Sequence, residues 1–457
     1  MKIKEKHKIG NSKRRTTGVI AIGFLLIIMI GTLLLTLPIS SRDRTFTNPL
    51  DAAFTAVSAT CVTGLVTVDT ATHWSMFGQI VILIMIQVGG LGFMSIAILT
   101  STLLKRAITP RERMLLAMSY NLDSYANTGE LIKRIGIGTL CIEATGAIIL
   151  STRFIPLFGV GDGIYKSIFH SVSAFCNAGF DLMGSYSGKF TSLTAFTQDP
   201  IVSITIMLLI ITGGIGFIVW NDIANAITKR KKLSVYSKFI IIVTSILIFG
   251  GMLIFALLEW NNPKTLGPLS VGGKLLASAF QSVTLRTAGF NSISQADMTQ
   301  SSQLLSILLM FIGGASGSTA GGVKVGTVGV LIYAVWCNSL GKKETILFHR
   351  KITGDHFIRA VSVIFVQLLL VLVGIVAVSS FSGFDVISTA YEVASATGTV
   401  GITLGITTEL DVVSRFIIMA LMYLGRVGTL TVTYAVMVNM RESRSIISYP
   451  DANMLIG

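Results

Sequence analysis

Charge is scarce in this chain. Asp, Glu, Lys and Arg make up 13% of its 457 residues, roughly half the share found in ordinary soluble domains. Several stretches of about 20 residues are almost free of charge, long enough to cross a bilayer. With 52% hydrophobic residues and a mean hydropathy of +0.75, that shortage excludes a soluble globular fold and implies a polytopic membrane protein. Cysteine and histidine are few as well. Cys61, Cys141, Cys176 and Cys337 lie in or beside apolar runs without metal-ligand spacing, so neither a disulfide framework nor a metal site is implied. Five scattered histidines add no ligand cluster. A cleavable signal peptide is also lacking: the basic N-terminus runs into an apolar stretch too long for one, with no small-residue cleavage site after it. The net charge of +14 would suggest nucleic acid in a soluble protein. Here Lys and Arg crowd into the segments between apolar runs, where membrane topology accounts for them.

What the chain does have is one short phrase written four times. The copies are Thr60-Cys61-Val62-Thr63-Gly64, Phe175-Cys176-Asn177-Ala178-Gly179, Leu285-Arg286-Thr287-Ala288-Gly289 and Thr397-Gly398-Thr399-Val400-Gly401. Their glycines recur about every 110 residues, a repeat-scale spacing. Each follows a half-length stretch of small and aromatic residues, with longer apolar segments on either side. The unit reads as helix, re-entrant half-helix, glycine turn, helix. Helix packing or capping explains a lone glycine; four in matching contexts favour a shared role. Irregular backbone is tolerated at membrane depth only where protein buries it or water hydrates it. Glycine can aim a carbonyl at an axis with little steric cost, and rings of carbonyls replace a cation's hydration shell.

The expected fold is all-α: eight transmembrane helices and four re-entrant half-helices, in four consecutive repeats around a pseudo-fourfold pore. Residues 1–16 form a cytoplasmic tail. The repeats span 17–113, 131–232, 237–351 and 357–441, and 442–457 form a second cytoplasmic tail. The half-helices are expected over 50–60, 163–175, 271–284 and 385–396. The return helices start near residues 75, 200, 302 and 411. Those of the first two repeats carry matching glycine runs, Val88-Gly89-Gly90-Leu91-Gly92-Phe93 and Thr212-Gly213-Gly214-Ile215-Gly216-Phe217. The third is interrupted by Gly313-Gly314-Ala315-Ser316-Gly317-Ser318-Thr319-Ala320-Gly321-Gly322. That many small residues weaken a helix, although small residues also pack helices closely; a flexible intramembrane loop is the expectation. Lys and Arg cluster on the side of the termini, which places both termini inside.

Buried charge needs a reason. Arg426 lies mid-way along the fourth return helix, in register with Gly90 and Gly214, and is expected to face the pore axis. The alternative is a structural pair with Glu143 or Glu392. Lys324 follows the glycine-rich loop and is expected at the same cavity. Arg286 stands inside the third phrase, where a guanidinium would repel cations, so it is expected behind the filter, paired with Glu392 or Asp181. Asp69, Asp181 and Glu409 either draw cations to the mouth or are ordinary solvated acids.

Taken together, the four phrases, the third-repeat loop and the fourth-repeat arginine resemble the Trk/Ktr/HKT superfamily of potassium transporters, over essentially the whole chain. The absence of two further N-terminal spans makes the chain most similar to the KtrB-type membrane subunit of bacterial Ktr systems. The resemblance implies K+ transport through a filter at the four phrases, with K+ at their backbone carbonyls. It implies a gate formed by residues 313–322 with Lys324 and Arg426. It further implies a homodimer in the bacterial cell membrane and a separate cytosolic RCK-domain ring (KtrA-like), the only place an adenine nucleotide would bind. Sodium coupling is a family property that these residues do not decide. Glycine at all four filter positions favours potassium over sodium. Only Thr399-Val400-Gly401 approaches the Thr-Val-Gly core of potassium channels. A sodium or non-selective cation transporter is the nearest alternative. An alternating-access solute transporter usually shows two related halves rather than four. A membrane enzyme would need His, Asp and Glu gathered at membrane depth, and the glycine-rich stretch lacks the Lys-Ser/Thr ending of a phosphate loop.

Overall fold

The structure, a computed structural model, describes residues 21–92, 128–342 and 344–428. The tails, the basic cluster at Lys105, Arg106, Arg111 and Arg113, the far end of the first return helix and the fourth return helix beyond Gly428 lie outside the described residues. Most of what is described is helical. The chain runs through α1 (Ala21–Thr36), α2 (Pro49–Cys61) and α3 (Met76–Leu91), then α4 (Thr128–Phe158), α5 (Val160–Phe175), α6 (Pro200–Gly214) and α7 (Phe217–Lys229). It continues through α8 (Val235–Glu259), α9 (Val271–Thr284), α10 (Gln300–Phe311) and α11 (Val325–Ser339) to α12 (Gly354–Ser382), α13 (Val386–Gly398) and α14 (Val412–Tyr423). A small antiparallel hairpin, β1 (Ile346–Leu347) and β2 (Arg350–Lys351), precedes α12, so the chain is not purely helical. A Lys351–Glu344 ion pair and the Tyr333 hydroxyl on the Ile346 carbonyl, at 2.7 Å, hold the hairpin in place.

Local sequence explains where the helices start. Asn48 accepts a hydrogen bond from the Leu50 amide and Pro49 follows it, a favourable opening for α2. Asp199 and Pro200 open α6 in the same way. Ser270, Asp385 and Asp411 cap α9, α13 and α14. The long helices are apolar enough to cross a membrane: 27 residues of α4, 25 of α8 and 29 of α12. Their outward faces show Phe249, Leu253 and Leu257 on α8 and Phe365, Leu372 and Val376 on α12. Water would not tolerate apolar faces of that extent; lipid requires them.

Each long helix packs along the short helix after it: α4 on α5, α8 on α9, α12 on α13. The return helices then link neighbours in a cycle. α3 touches α5, α6 touches α9, α10 touches α13, and α14 comes back to α2. An Arg415–Asp51 ion pair of 2.9 Å reinforces that last contact. The short helices α2, α5, α9 and α13 thus lie inside a closed circuit of packing.

The second return helix departs from the expected single run through Thr212–Phe217. α6 and α7 meet at 98°. Gly216 sits at φ +94°, a conformation natural to glycine, and the next amide, of Phe217, bonds the Gly317 carbonyl at 2.8 Å instead of continuing the helix.

Candidate functional site

All four short helices end at the phrases, and all four phrase glycines hold positive φ: +96° at Gly64, +72° at Gly179, +84° at Gly289 and +92° at Gly401. They also meet. A methyl group on Gly64 would stand 2.6 Å from the Ala178 carbonyl oxygen, one on Gly179 2.9 Å from that of Ala288, and one on Gly289 2.7 Å from that of Val400. One on Gly401 would overlap the Thr63 carbonyl oxygen, closing the ring. Each glycine therefore abuts the carbonyl that precedes the next glycine, in chain order. Only a residue without Cβ fits at any of the four positions.

Two residues before each glycine the backbone is also left-handed: Val62 (φ 58°), Asn177 (58°), Thr287 (66°) and Thr399 (51°). Three of these are β-branched, for which positive φ is a genuine outlier. Strain of this kind persists only where surrounding structure over-determines it. The clamps are visible. Ser58 and Ser395 accept bonds from the Gly64 and Gly401 amides at 3.0 Å, while Ser173 and Thr284 donate to the Phe180 and Phe290 carbonyls at 2.7 Å. Each helix C-terminus brings about half an elementary negative charge to its phrase, a field that suits a dehydrated cation.

Residues 312–324 separate α10 from α11 and are not helical. They lie against the α6–α7 break, where the Ala315 and Thr319 amides donate to the Gly214 and Gly213 carbonyls at 2.9 and 3.2 Å. The Thr319 hydroxyl is 3.1 Å from both the Phe175 carbonyl and the Asn177 side-chain oxygen. Gly321 meets Thr399 so closely that a Cβ would overlap its hydroxyl. Lys324 turns its ammonium back onto the Ala320 and Gly321 carbonyls, at 2.7 and 3.4 Å. The stretch thus touches the second and fourth phrases directly.

Arg286 corrects an expectation. The residue is 92% buried behind the third phrase, yet its guanidinium donates to the Thr244 and Gly313 carbonyls at 3.4 and 3.2 Å. Among the described residues no carboxylate forms an ion pair with it. Glu392 accepts from the Thr403 and Thr407 hydroxyls, and Asp181 from the Met183 amide. Arg426 sits in a π-helical turn, Leu424–Gly428, a distortion frequent at functional sites. It donates to the carbonyls of Thr319, Gly89 and Gly90, the last at 3.2 Å. Glu143, one acid offered as its partner, is held by Gln87 at 3.0 Å. Arg426 thereby bridges the loop and α3. At the other end, Asp69 accepts from the Ala71, Thr72 and Phe190 amides and is largely occupied by structure, while Glu409 is exposed. Burial raises the Asp181 carboxyl to about 6, assisted by the charge of Asp69 and opposed by bonds from Met183 and Ser192.

The family of cation transport proteins described as TrkH matches residues 2–448. The chain belongs to this TrkH family. The curated relatives match over nearly the whole of each chain. The potassium/sodium uptake protein NtpJ of Enterococcus hirae is 41% identical over 96% of each chain. The Ktr system potassium uptake protein B of Bacillus subtilis is 41% identical over 96% of each, and that of Vibrio alginolyticus 36% over 96% of this chain and 94% of its own. The crystal structure of the potassium transporter TrkH from Vibrio parahaemolyticus shares the fold, with a TM-score of 0.67 over 93% of this chain and 86% of that one, at 18% identity. A TrkH-family chain is an integral membrane protein of a cation-transport family, not of an enzyme family.

Sequence reasoning passed over several polar residues around the ring. Gln367, in the middle of α12, donates to the Thr397 carbonyl at 3.1 Å. Gln281 and Gln295 exchange bonds of 2.7 and 3.0 Å behind the third phrase, and the Tyr391 hydroxyl joins them at 2.9 Å. A glutamine in an apolar helix is itself a signal, because a buried amide must find partners.

Proposed function

We propose that this chain is the potassium-translocating membrane subunit of a Ktr-type uptake system. Potassium passes the ring of phrase carbonyls, which act as the selectivity filter of a pseudo-fourfold pore. The stretch from Gly313 to Gly322, with Lys324 and Arg426, gates the path beneath. One observation carries the reading: each of four glycines, about 110 residues apart, meets the carbonyl preceding the next, which sets four backbone turns around one point as carbonyl-lined cation sites require. Both termini face the cytoplasm, where a separate RCK-domain ring binds a homodimer of this chain. The name of the Enterococcus hirae relative, potassium/sodium uptake protein, supports a second reading in which sodium is carried or coupled. Reconstitution of the purified chain into liposomes separates the readings. Potassium influx well above sodium influx, with no movement of a neutral solute, is expected. Equal influx of both ions would overturn the selective filter, and solute movement would point to alternating access.

A further inference from the structure

Asn177 differs from its counterparts in the other phrases. Val62, Thr287 and Thr399 occupy the same left-handed position, and the hydroxyls of Thr287 and Thr399 have no partner among the described residues. Asn177, 99% buried, uses both ends of its amide. Its Nδ2 donates to the backbone carbonyl of Arg286, in the third phrase, at 3.3 Å. A carbonyl can only accept, so this contact fixes the amide orientation and directs Oδ1 to the Thr319 hydroxyl at 3.1 Å. Gly213 forms the wall beside it, where a Cβ would be 2.8 Å from both Asn177 Oδ1 and the Thr319 hydroxyl. Left-handed backbone is tolerated by Asn better than by most residues, so the position supports the side chain that makes these bonds.

We propose that the Asn177 side chain is a strut between the loop at Thr319 and the third phrase at Arg286, so that ion selectivity depends on where the loop lies. The inference rests on the filter-and-gate reading above. With the loop in place, the amide holds the Arg286 carbonyl at 3.3 Å and keeps the second and third phrases in fixed relation. Withdrawal of Thr319 frees Oδ1, and the amide is then no longer held square to the third phrase. Arg286 completes a second tie, from its guanidinium to the Gly313 carbonyl at 3.2 Å. The third phrase therefore reports on both the start and the middle of the loop. Asn177 is a positioning residue, and its side chain need never touch the ion.

The test is Thr319→Val, which removes the hydroxyl and keeps the shape, in full-length protein in liposomes. Both potassium and sodium influx are read. A loss of one hydrogen bond corresponds to roughly fivefold, and the potassium-to-sodium ratio is expected to fall by about that factor although Thr319 belongs to the loop. Asn177→Leu is expected to lower the ratio similarly, and the double variant no further than either single one. A changed flux with the wild-type ratio in Thr319→Val overturns the strut, as does strict additivity in the double variant. Because Thr319→Val also removes the contact to the Phe175 carbonyl, Asn177→Thr, the residue of the third and fourth phrases, takes the place of Asn177→Leu if that variant fails to assemble. Failure of the underlying reading looks different, because the wild-type chain would then show no potassium preference to lose.

Discussion

Replacing Gly401 by alanine asks whether the ring carries selectivity. Its φ of +92° costs a residue with a Cβ about 1–2 kcal/mol. The added methyl would also overlap the Thr63 carbonyl oxygen and stand 2.9 Å from the Gly64 Cα, an overpacking worth about 1–3 kcal/mol. The total is about 2–5 kcal/mol, relieved chiefly by moving the Thr63 carbonyl, one of the groups proposed to face the ion. A tenfold change in preference needs only about 1.4 kcal/mol, so the potassium-to-sodium influx ratio in liposomes is expected to fall at least tenfold. Gly405 supplies the control. It has φ +109° and open space where a Cβ would go, so Gly405→Ala incurs the backbone term without the clash. An unchanged ratio in Gly401→Ala, or an equal fall in Gly405→Ala, would refute the reasoning.

Arg426→Gln removes a charge below the ring. At an effective dielectric of 20 a unit charge opposes a cation ~10 Å away by about 1.7 kcal/mol, so flux per assembled molecule should rise about ten- to twentyfold; loss of folded protein without a change in flux per molecule would contradict it. Asp181, raised to about 6, should lose its charge as outside pH falls through that value. Uptake at limiting potassium should then drop, and Asp181→Asn should abolish the pH dependence. Because the folded state holds that proton more tightly than the unfolded chain, Asp181 makes stability rise, not fall, as pH drops through the same window. Glu259 is fully buried and accepts from Asn262, Thr265, and the amide and hydroxyl of Thr299. Glu259→Ala should cost about 3 kcal/mol in thermal unfolding in detergent, with the ion ratio of surviving protein intact.

The short helices were legible because a half-length apolar run recurs before each phrase glycine. α9 begins and ends at the expected residues, and α2, α5 and α13 lie within three of theirs. Interaction partners were not legible. Arg286 announces a buried charge, but nothing local says that carbonyls of Thr244 and Gly313, rather than a carboxylate, would receive it. The bend after Gly214 was hidden for the same reason: the matching run in the first repeat gave no sign that Phe217 would bond to a loop a hundred residues later. A sequence states which groups must be satisfied, and long-range packing chooses what satisfies them.

The return helices suggest why the third quarter is the one that carries a loop. In α3, α6 and the turn after α14, glycines press against the ends of the short helices. A Cβ on Gly89 would overlap the Thr60 carbonyl, one on Gly213 that of Phe175, and one on Gly425 that of Thr397. Thr60, Phe175 and Thr397 each stand four residues before a phrase glycine, so three phrases rest on a helix at the same point. Such backbone contacts cannot be loosened by a rotamer change. At the third phrase, the described contact from below is instead the long Arg286 side chain on Gly313, which can follow a moving partner. Under the proposed gating, the stretch would yield most readily at the third phrase, which meets it through a side chain, and least at Gly398 and Thr399, where Gly321 and Gly322 pack closely.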